Sequence, residues 1–476
     1  MKRDLAALVA REHDVVVVGG GIHGAAAAWD AAQRGLAVAL VEAADFGGGA
    51  SWNSLKTVHG GLRHLQRADV AGLRESARER ATLARIAPGL VRPLPFVVPT
   101  FRGASPSRLA LAAALRLNRA LALGTGGRGA GAFAARSLSP REVVERVPGL
   151  DAVRLTGGAE WTDGQVESTE RLLMGFLHAA AEHGAALANS VEVTGFEHEG
   201  RRVRAVAARD VEAGDALRLR ARLVINAAGP AMDAVLACGG VARRATPLLH
   251  AMNLVLGRPA TATHAVGARS GGRFLFLVPW RGHAIVGTAY DPAAPPEASG
   301  FLAEARDAFP WAGLRADDVT LVHRGRVPGT GQGPALVTRS RVVDHEKEDG
   351  VAGVLSILSA KYTTARASAE AAVDVALRRL PGRFGRCRTA ETPLRRAAPL
   401  QGTLGDRARE AAREEAARHL DDAVLRRLDL ATAGRPSPAA VDEVAAAMAA
   451  ELGWNEARLA SERARLEAAL RAAEAR

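Results

Sequence analysis

The chain has 476 residues, 48% of them hydrophobic, which excludes a disordered polypeptide and allows about two or three domains around a large core. Lysine and arginine outnumber aspartate and glutamate by 63 to 51, so the net charge is +12, a balance that favours anionic partners without choosing among them. Only Cys238 and Cys387 occur, without C-x-x-C spacing, which excludes a disulfide framework and a thiolate metal site and fits a reducing cytoplasm.

The start, MKRDLAALVAREHD, holds too short an apolar stretch for a signal peptide. Residues 15–18 form an all-apolar run, as expected of a strand covered on both faces. Gly19, Gly21 and Gly24 follow in the pattern G-x-G-x-x-G around Ile22 and His23, and the alanines at 25–28 open a helix. The first glycine permits a tight turn, the second lets a pyrophosphate approach the backbone, and the third lets helix and strand pack closely. The helix N-terminus adds unpaired N–H groups and partial positive charge. A second strand, AVALVE, ends in Glu42, placed to accept hydrogen bonds from a ribose diol. Strand, glycines, helix, strand and terminal acid in this order predict a dinucleotide site, without choosing between NAD and FAD.

Further along, SWNSLKTVHGGLRHLQ occupies residues 51–66, and LALAAALRLNRALAL (109–123) reads as an amphipathic helix too interrupted by charge to span a bilayer. WTDGQVESTERLL (161–173) and a later strand, ARLVINAAGP (221–230), come next. Residues 248–256 (LLHAMNLVL) and 273–290 read as strands. WAGLR (311–315), VTRSRVVDH (337–345) and SAKYTTAR (359–366) precede a tail, residues 391–476, rich in Ala, Glu and Arg at helical spacing. Thr363 and Thr364 are expected to cap the helix that follows SAKYTT. No basic helix or aromatic-interleaved patch points to nucleic acid.

Taken together, these stretches resemble the FAD-dependent glycerol-3-phosphate dehydrogenase family, one of the D-amino-acid-oxidase-like flavoproteins, over nearly the whole chain. The resemblance implies an α/β fold: a glutathione-reductase-like FAD-binding Rossmann domain interleaved with an antiparallel-sheet substrate domain, plus a helical C-terminal domain. The FAD domain is expected from residues 1–90, 150–240 and 335–390, the substrate domain from 91–149 and 241–334, and the helical domain from 391–476. FAD contacts are implied for Gly19, Gly21, Ile22, His23, Gly24, Glu42, Ser54, Lys56, His59, Gly60, Gly61, Val193, Ala227, Gly229, Lys361, Tyr362 and Thr363.

Catalytic or substrate-holding roles are implied for His59, Arg63, His64, Arg315, Arg339 and Lys361. Guanidinium groups suit a phosphate dianion, and equally a carboxylate. The sequence departs from the family at His64, where the family has tyrosine, at Ser359-Ala360, where it has Gly-Gly, and at Asn253, where it has a strand histidine. An amide cannot act as a general base at neutral pH, so either the base is His64 or His59 or the substrate is one that needs different help. The implied reaction is dehydrogenation of glycerol 3-phosphate or a related anionic alcohol, with hydride passing to flavin and a quinone or dioxygen as final acceptor. Amine or amino-acid oxidation within the same superfamily, and a flavin-binding partner protein of weakened catalysis, stand as alternatives. A cytoplasmic location follows, with peripheral attachment to the inner face of the cell membrane and a homodimer both left open.

Overall fold

The computed structural model describes residues 1–62, 64, 68–103, 111–113, 115–117, 135–242, 245–261 and 263–474. Arg63 and most of the stretch 109–123 lie outside them.

The first apolar run forms the strand His13–Val18, buried along nearly its whole length. It pairs in parallel with Val38–Val41 on one side and with the second half of Ala216–Asn226 on the other. Val354–Leu358 continues the parallel ladder beside Asn226, Ala186–Ala188 closes the opposite edge, and Arg341–Asp344 adds an antiparallel edge strand. The first half of Ala216–Asn226 instead pairs antiparallel with Arg202–Asp210, which pairs antiparallel with Val191–Glu199, and the three form a meander. One long strand therefore serves two ladders.

The helix Ile22–Gln33 is buried almost all round, because its alanines let Thr169–Glu182 and Ala365–Leu377 pack against it. This explains a run that would be too featureless for an exposed amphipathic helix.

The second sheet runs in the order Val319–Pro328, Leu248–Leu256, His283–Asp291, Arg273–Trp280, Ala265–Ser270, Val91–Phe101, Leu155–Val166 and Thr57–Val58. Its pairings are antiparallel except that Ala265–Ser270 runs parallel to Val91–Phe101, so the expected antiparallel sheet is mixed. Thr57–Val58 and Leu155–Val166 join this sheet although they lie within the ranges expected for the FAD domain. Strand alternation gives the sheet two faces. Met252, Leu254, Leu275, Leu277 and Val286 pack with Phe301 and Leu302 of the helix Ala298–Ala308. The other face carries Phe96, Trp161 and Phe276.

The tail forms the helices Leu404–Glu414, Pro438–Leu452 and Glu456–Ala473, with a π-helical turn at Asp422–Arg427. They share a core of their own, which also takes in Trp52. Among the described residues no helix is long and apolar enough to cross a membrane.

Candidate active site

The turns that build the site lie at the carboxyl ends of neighbouring parallel strands, the place where open α/β sheets bind ligands. Gly19 has φ +106°, and a Cβ there would stand 2.7 Å from the Ala227 carbonyl. At Gly24 a Cβ would stand 1.9 Å from the Gly19 carbonyl, so helix and turn touch through backbone alone. Gly21 is the N-cap and gives the helix no side-chain cap; the Ser51 Oγ accepts from the Ile22 N–H at 3.0 Å. The other first-turn N–H groups have no acceptor within the helix and suit a phosphate. Glu42 accepts from the Gly20 N–H at 2.7 Å and from the Ala44 N–H at 3.0 Å, and burial raises its pKa. Its oxygens keep lone pairs for a diol. Burial holds the His23 imidazole neutral, with its pKa at about 4 and its Nε2 unpartnered. Ala227 donates to the Val18 carbonyl, Gly229 opens a short 3₁₀ turn with φ +56°, and Val193 lies on the meander opposite Ala208. Bare glycines, a helix N-terminus and a terminal acid thus fit a dinucleotide.

His59 stands at the edge of the second sheet. Its Nδ1 meets Asp163 at 3.0 Å, its Nε2 meets the Thr57 hydroxyl at 3.0 Å, and its backbone N–H donates to Thr363 Oγ1 at 3.1 Å. The rings of Phe96 and Phe276 flank it. Asp163 also accepts from the Gly60 N–H, the Arg80 guanidinium and the Trp161 indole. Burial alone would raise its pKa, but these donors and His59 hold it well below the usual carboxylate range. A Cβ at Gly60 would stand 2.0 Å from Arg80 Nη1, and Gly61 needs φ +86°, so both glycines are required by their surroundings.

A second chain of polar contacts joins four residues from two stretches far apart in sequence. Lys361 Nζ lies 2.5 Å from His64 Nε2, and His64 Nδ1 lies 2.7 Å from Asp69 Oδ2. Arg339 grips both oxygens of Asp69. Burial and then the Lys361 charge lower the His64 pKa, while the Arg339 hydrogen bond leads in holding Asp69 ionised. Asp69 is also the N-cap of the helix Val70–Ile86 and accepts from Gly72. A Cβ at Gly72 would stand 2.3 Å from Asp69 Oδ2 and 2.5 Å from His64 Cε1, so glycine there is what lets imidazole and carboxylate settle on the helix.

The structure does not bring all the expected residues together. Lys56 is fully buried and its ammonium donates to Trp52 O, Thr169 Oγ1 and Glu170 Oε1, at 2.9, 2.9 and 2.6 Å. With three donors and three protein acceptors, it has none left for FAD. Arg315 is exposed on the turn before Val319, beside Leu314 of the core that faces away from Phe96 and Phe276. Its N–H donates to Asp318, and no described hydrogen bond or ion pair joins it to His64, Arg339 or Lys361. Arg339 is tied to Asp69 rather than standing free, and Arg63 lies outside the described residues.

Ser54 Oγ accepts from the Lys56 N–H, and the Tyr362 hydroxyl donates to the Thr169 carbonyl. Thr364 occupies the N-cap position without a side-chain cap bond, and Thr363 receives the His59 N–H, so neither caps the helix as expected. Asn253 is buried, accepting from the Thr288 hydroxyl at 2.7 Å. Ser51, Asp163, Arg80, Asp69 and Thr288 were not foreseen. Of these only Asp69 carried a signal, as an acid directly before a helix.

Comparison with known proteins fits this arrangement. Residues 14–375 match the family described as FAD dependent oxidoreductase (DAO), and residues 386–459 match the C-terminal domain of alpha-glycerophosphate oxidase. A glycerol-3-phosphate dehydrogenase of Synechocystis sp. is 31% identical over 411 residues, which cover 80% of this chain and 73% of that protein. One from Mycobacterium leprae is 32% identical over 386 residues, covering 78% of this chain but only 64% of its own length. The glycerol-3-phosphate dehydrogenase of Bacillus halodurans, solved with FAD, shares the fold with a TM-score of 0.72 at 22% identity, over 98% of this chain and 96% of that one. Glycine oxidase from Geobacillus kaustophilus does so with a TM-score of 0.60 at 18% identity, over 82% and 99%. The chain belongs to the FAD-dependent oxidoreductase family. Within it, the relatives it resembles at about 30% identity are glycerol-3-phosphate dehydrogenases.

Proposed function

We propose that the protein oxidises glycerol 3-phosphate or a closely related phosphorylated alcohol and hands the electrons to a quinone or to dioxygen. The observation that carries this reading is the meeting of Lys361 and His64 at 2.5 Å, on the same turn whose Thr363 holds the backbone of His59. An ammonium and a neutral imidazole side by side are what a carbinol hydroxyl needs to be oriented and to lose its proton. FAD, when bound, supplies the acceptor for the carbinol hydride. The glycine turn and Glu42 would hold its dinucleotide half, and His59, Gly60 and Thr363 would line the approach to its ring. Arg339 and, from its place in the sequence, Arg63 would give the entrance the positive charge that a phosphate dianion selects.

Anaerobic addition of glycerol 3-phosphate to the purified protein tests this reading through the flavin absorbance near 450 nm (about the usual position for an oxidised flavin). Rapid bleaching supports it, and bleaching by glycine or another amino acid alone would transfer the protein to the amine-oxidising side. Peroxide release under air, against reduction of a quinone analogue, separates the two acceptors. A quinone acceptor would bring the enzyme to an anionic membrane face, which its +12 charge favours; co-sedimentation with anionic vesicles tests that.

A further inference from the structure

The geometry points to His64 as the group that takes the hydroxyl proton, with Asp69 as its positioning residue and Lys361 holding the oxygen from which the proton leaves. This rests on the alcohol-oxidising reading above and adds to it the atom that receives the proton.

The other candidates near the site are already committed. Asn253 is an amide whose oxygen accepts from Thr288, and Lys361 as an ammonium has no lone pair. His59 is held at both ring nitrogens by fixed neighbours, Asp163 and the Thr57 hydroxyl, and its backbone by Thr363. His64 differs in one respect. Its Nδ1 faces the ionised Asp69, so the ring proton sits there and the lone pair sits on Nε2, where the partner is the Lys361 ammonium, itself a donor that a substrate oxygen can accept from. A hydroxyl entering between them accepts from Nζ and donates to Nε2, replacing one hydrogen bond with two. As the O–H bond breaks, its proton passes to Nε2, and the electron pair left on oxygen closes the carbonyl. FAD, when bound, would take the carbinol hydrogen with its electron pair as hydride. The imidazolium formed is paired with Asp69, which Arg339 keeps ionised and in place.

The charged groups that face His64 are Lys361, Asp69 and Arg339. Burial, Lys361 and Arg339 favour the neutral ring and Asp69 favours the charged one, so variants at Lys361 and Asp69 shift it in opposite directions. The test uses the full-length, FAD-loaded protein and nitrogen-15 resonances of its histidines. The result expected is a His64 ring protonated at Nδ1 and titrating below 6.5. Lys361→Met should raise that pKa and the acid limb of the flavin-reduction rate with it; Asp69→Asn should lower both. His64→Gln should slow anaerobic reduction by about 10²- to 10⁴-fold without loss of FAD, and added imidazole should partly restore His64→Ala. A wild-type ring protonated at Nε2 would overturn the assignment, as would titration above 6.5 or a His64→Gln rate within threefold of wild type. If a different alcohol reduces the flavin and glycerol 3-phosphate does not, the substrate reading falls while His64 is judged with that alcohol. If amines alone reduce it, both fall, and if nothing does, the tautomer and titration decide the assignment.

Discussion

Arg427 closes both terminal nitrogens of its guanidinium on Asp45, at 2.6 and 2.9 Å, and so ties the C-terminal helices to the loop that follows Glu42. Arg426 Nε and Asn189 Nδ2 contact the same carboxylate. Two residues further on, the Gly47 N–H donates to the Gly20 carbonyl inside the glycine turn. The helical unit therefore braces the cofactor turn through one buried acid.

Asp45→Ala leaves two buried guanidinium groups without that partner, and the loss of one member of a buried ion pair costs about 3–5 kcal/mol. The expected outcome is a large drop in Tm together with faster FAD release, read by the rise in free-flavin fluorescence. A variant that loses stability but retains FAD as tightly as wild type would separate the brace from the turn.

Lys56 and Glu170 form a 2.6 Å ion pair with both side chains buried. Lys56→Met strands the carboxylate and is expected to cost about 3–5 kcal/mol in chemical denaturation, whereas Lys56→Met combined with Glu170→Leu should recover much of it. The flavin spectrum of whatever remains folded should be unchanged, since all three protons of the ammonium are held within the protein.

A Cβ at Gly287 would stand 1.9 Å from Asn253 Oδ1, so Gly287→Ala must push Asn253 off the Thr288 hydroxyl. Overpacking of this kind costs about 1–3 kcal/mol. The destabilisation should be matched by Thr288→Val only in part, because the valine leaves the amide unpaired without displacing it. Thermal unfolding of the two single variants decides the order.

His419 sits between Glu462 at 2.9 Å and Glu212 at 2.7 Å, joining the last helix to the turn of the meander. Burial alone would lower its pKa, but Glu462, Asp422 and Glu212 hold it above the ordinary 6.5. A group whose pKa is raised by folding stabilises fully below its unfolded value, and that contribution is lost as pH rises through the folded value. Tm should therefore decline from about pH 6.5 upward. His419→Gln should flatten this part of the profile.

The glycine turn, the all-apolar strand and Glu42 were legible because each is a local requirement of one βαβ unit. The alanine helix was legible for the same reason, and so was the helical spacing of the tail. Lys56 was not, because a buried ammonium is defined by Thr169 and Glu170, more than a hundred positions away. Arg315 was assigned from a short motif, and the motif does not say which face of the second sheet its turn adjoins. His64 could be named from sequence, but its capacity as a base depends on Asp69, Lys361 and Arg339, which only tertiary folding assembles. Asp163 carries His59, Gly60 and Arg80 together, and nothing local in WTDG marks it for that.

The strand Ala216–Asn226 has one half in the meander and the other beside His13–Val18, and Val354–Leu358 adds to that same half. During synthesis the glycine turn leaves the ribosome early, yet its strand stays without one neighbour until the chain has grown past residue 226. Lys361 and Thr363 arrive still later. Nascent chains truncated between residues 60 and 350 should therefore not retain flavin, and cofactor capture becomes a late event in biogenesis, after the first strand has waited through most of translation for its neighbours.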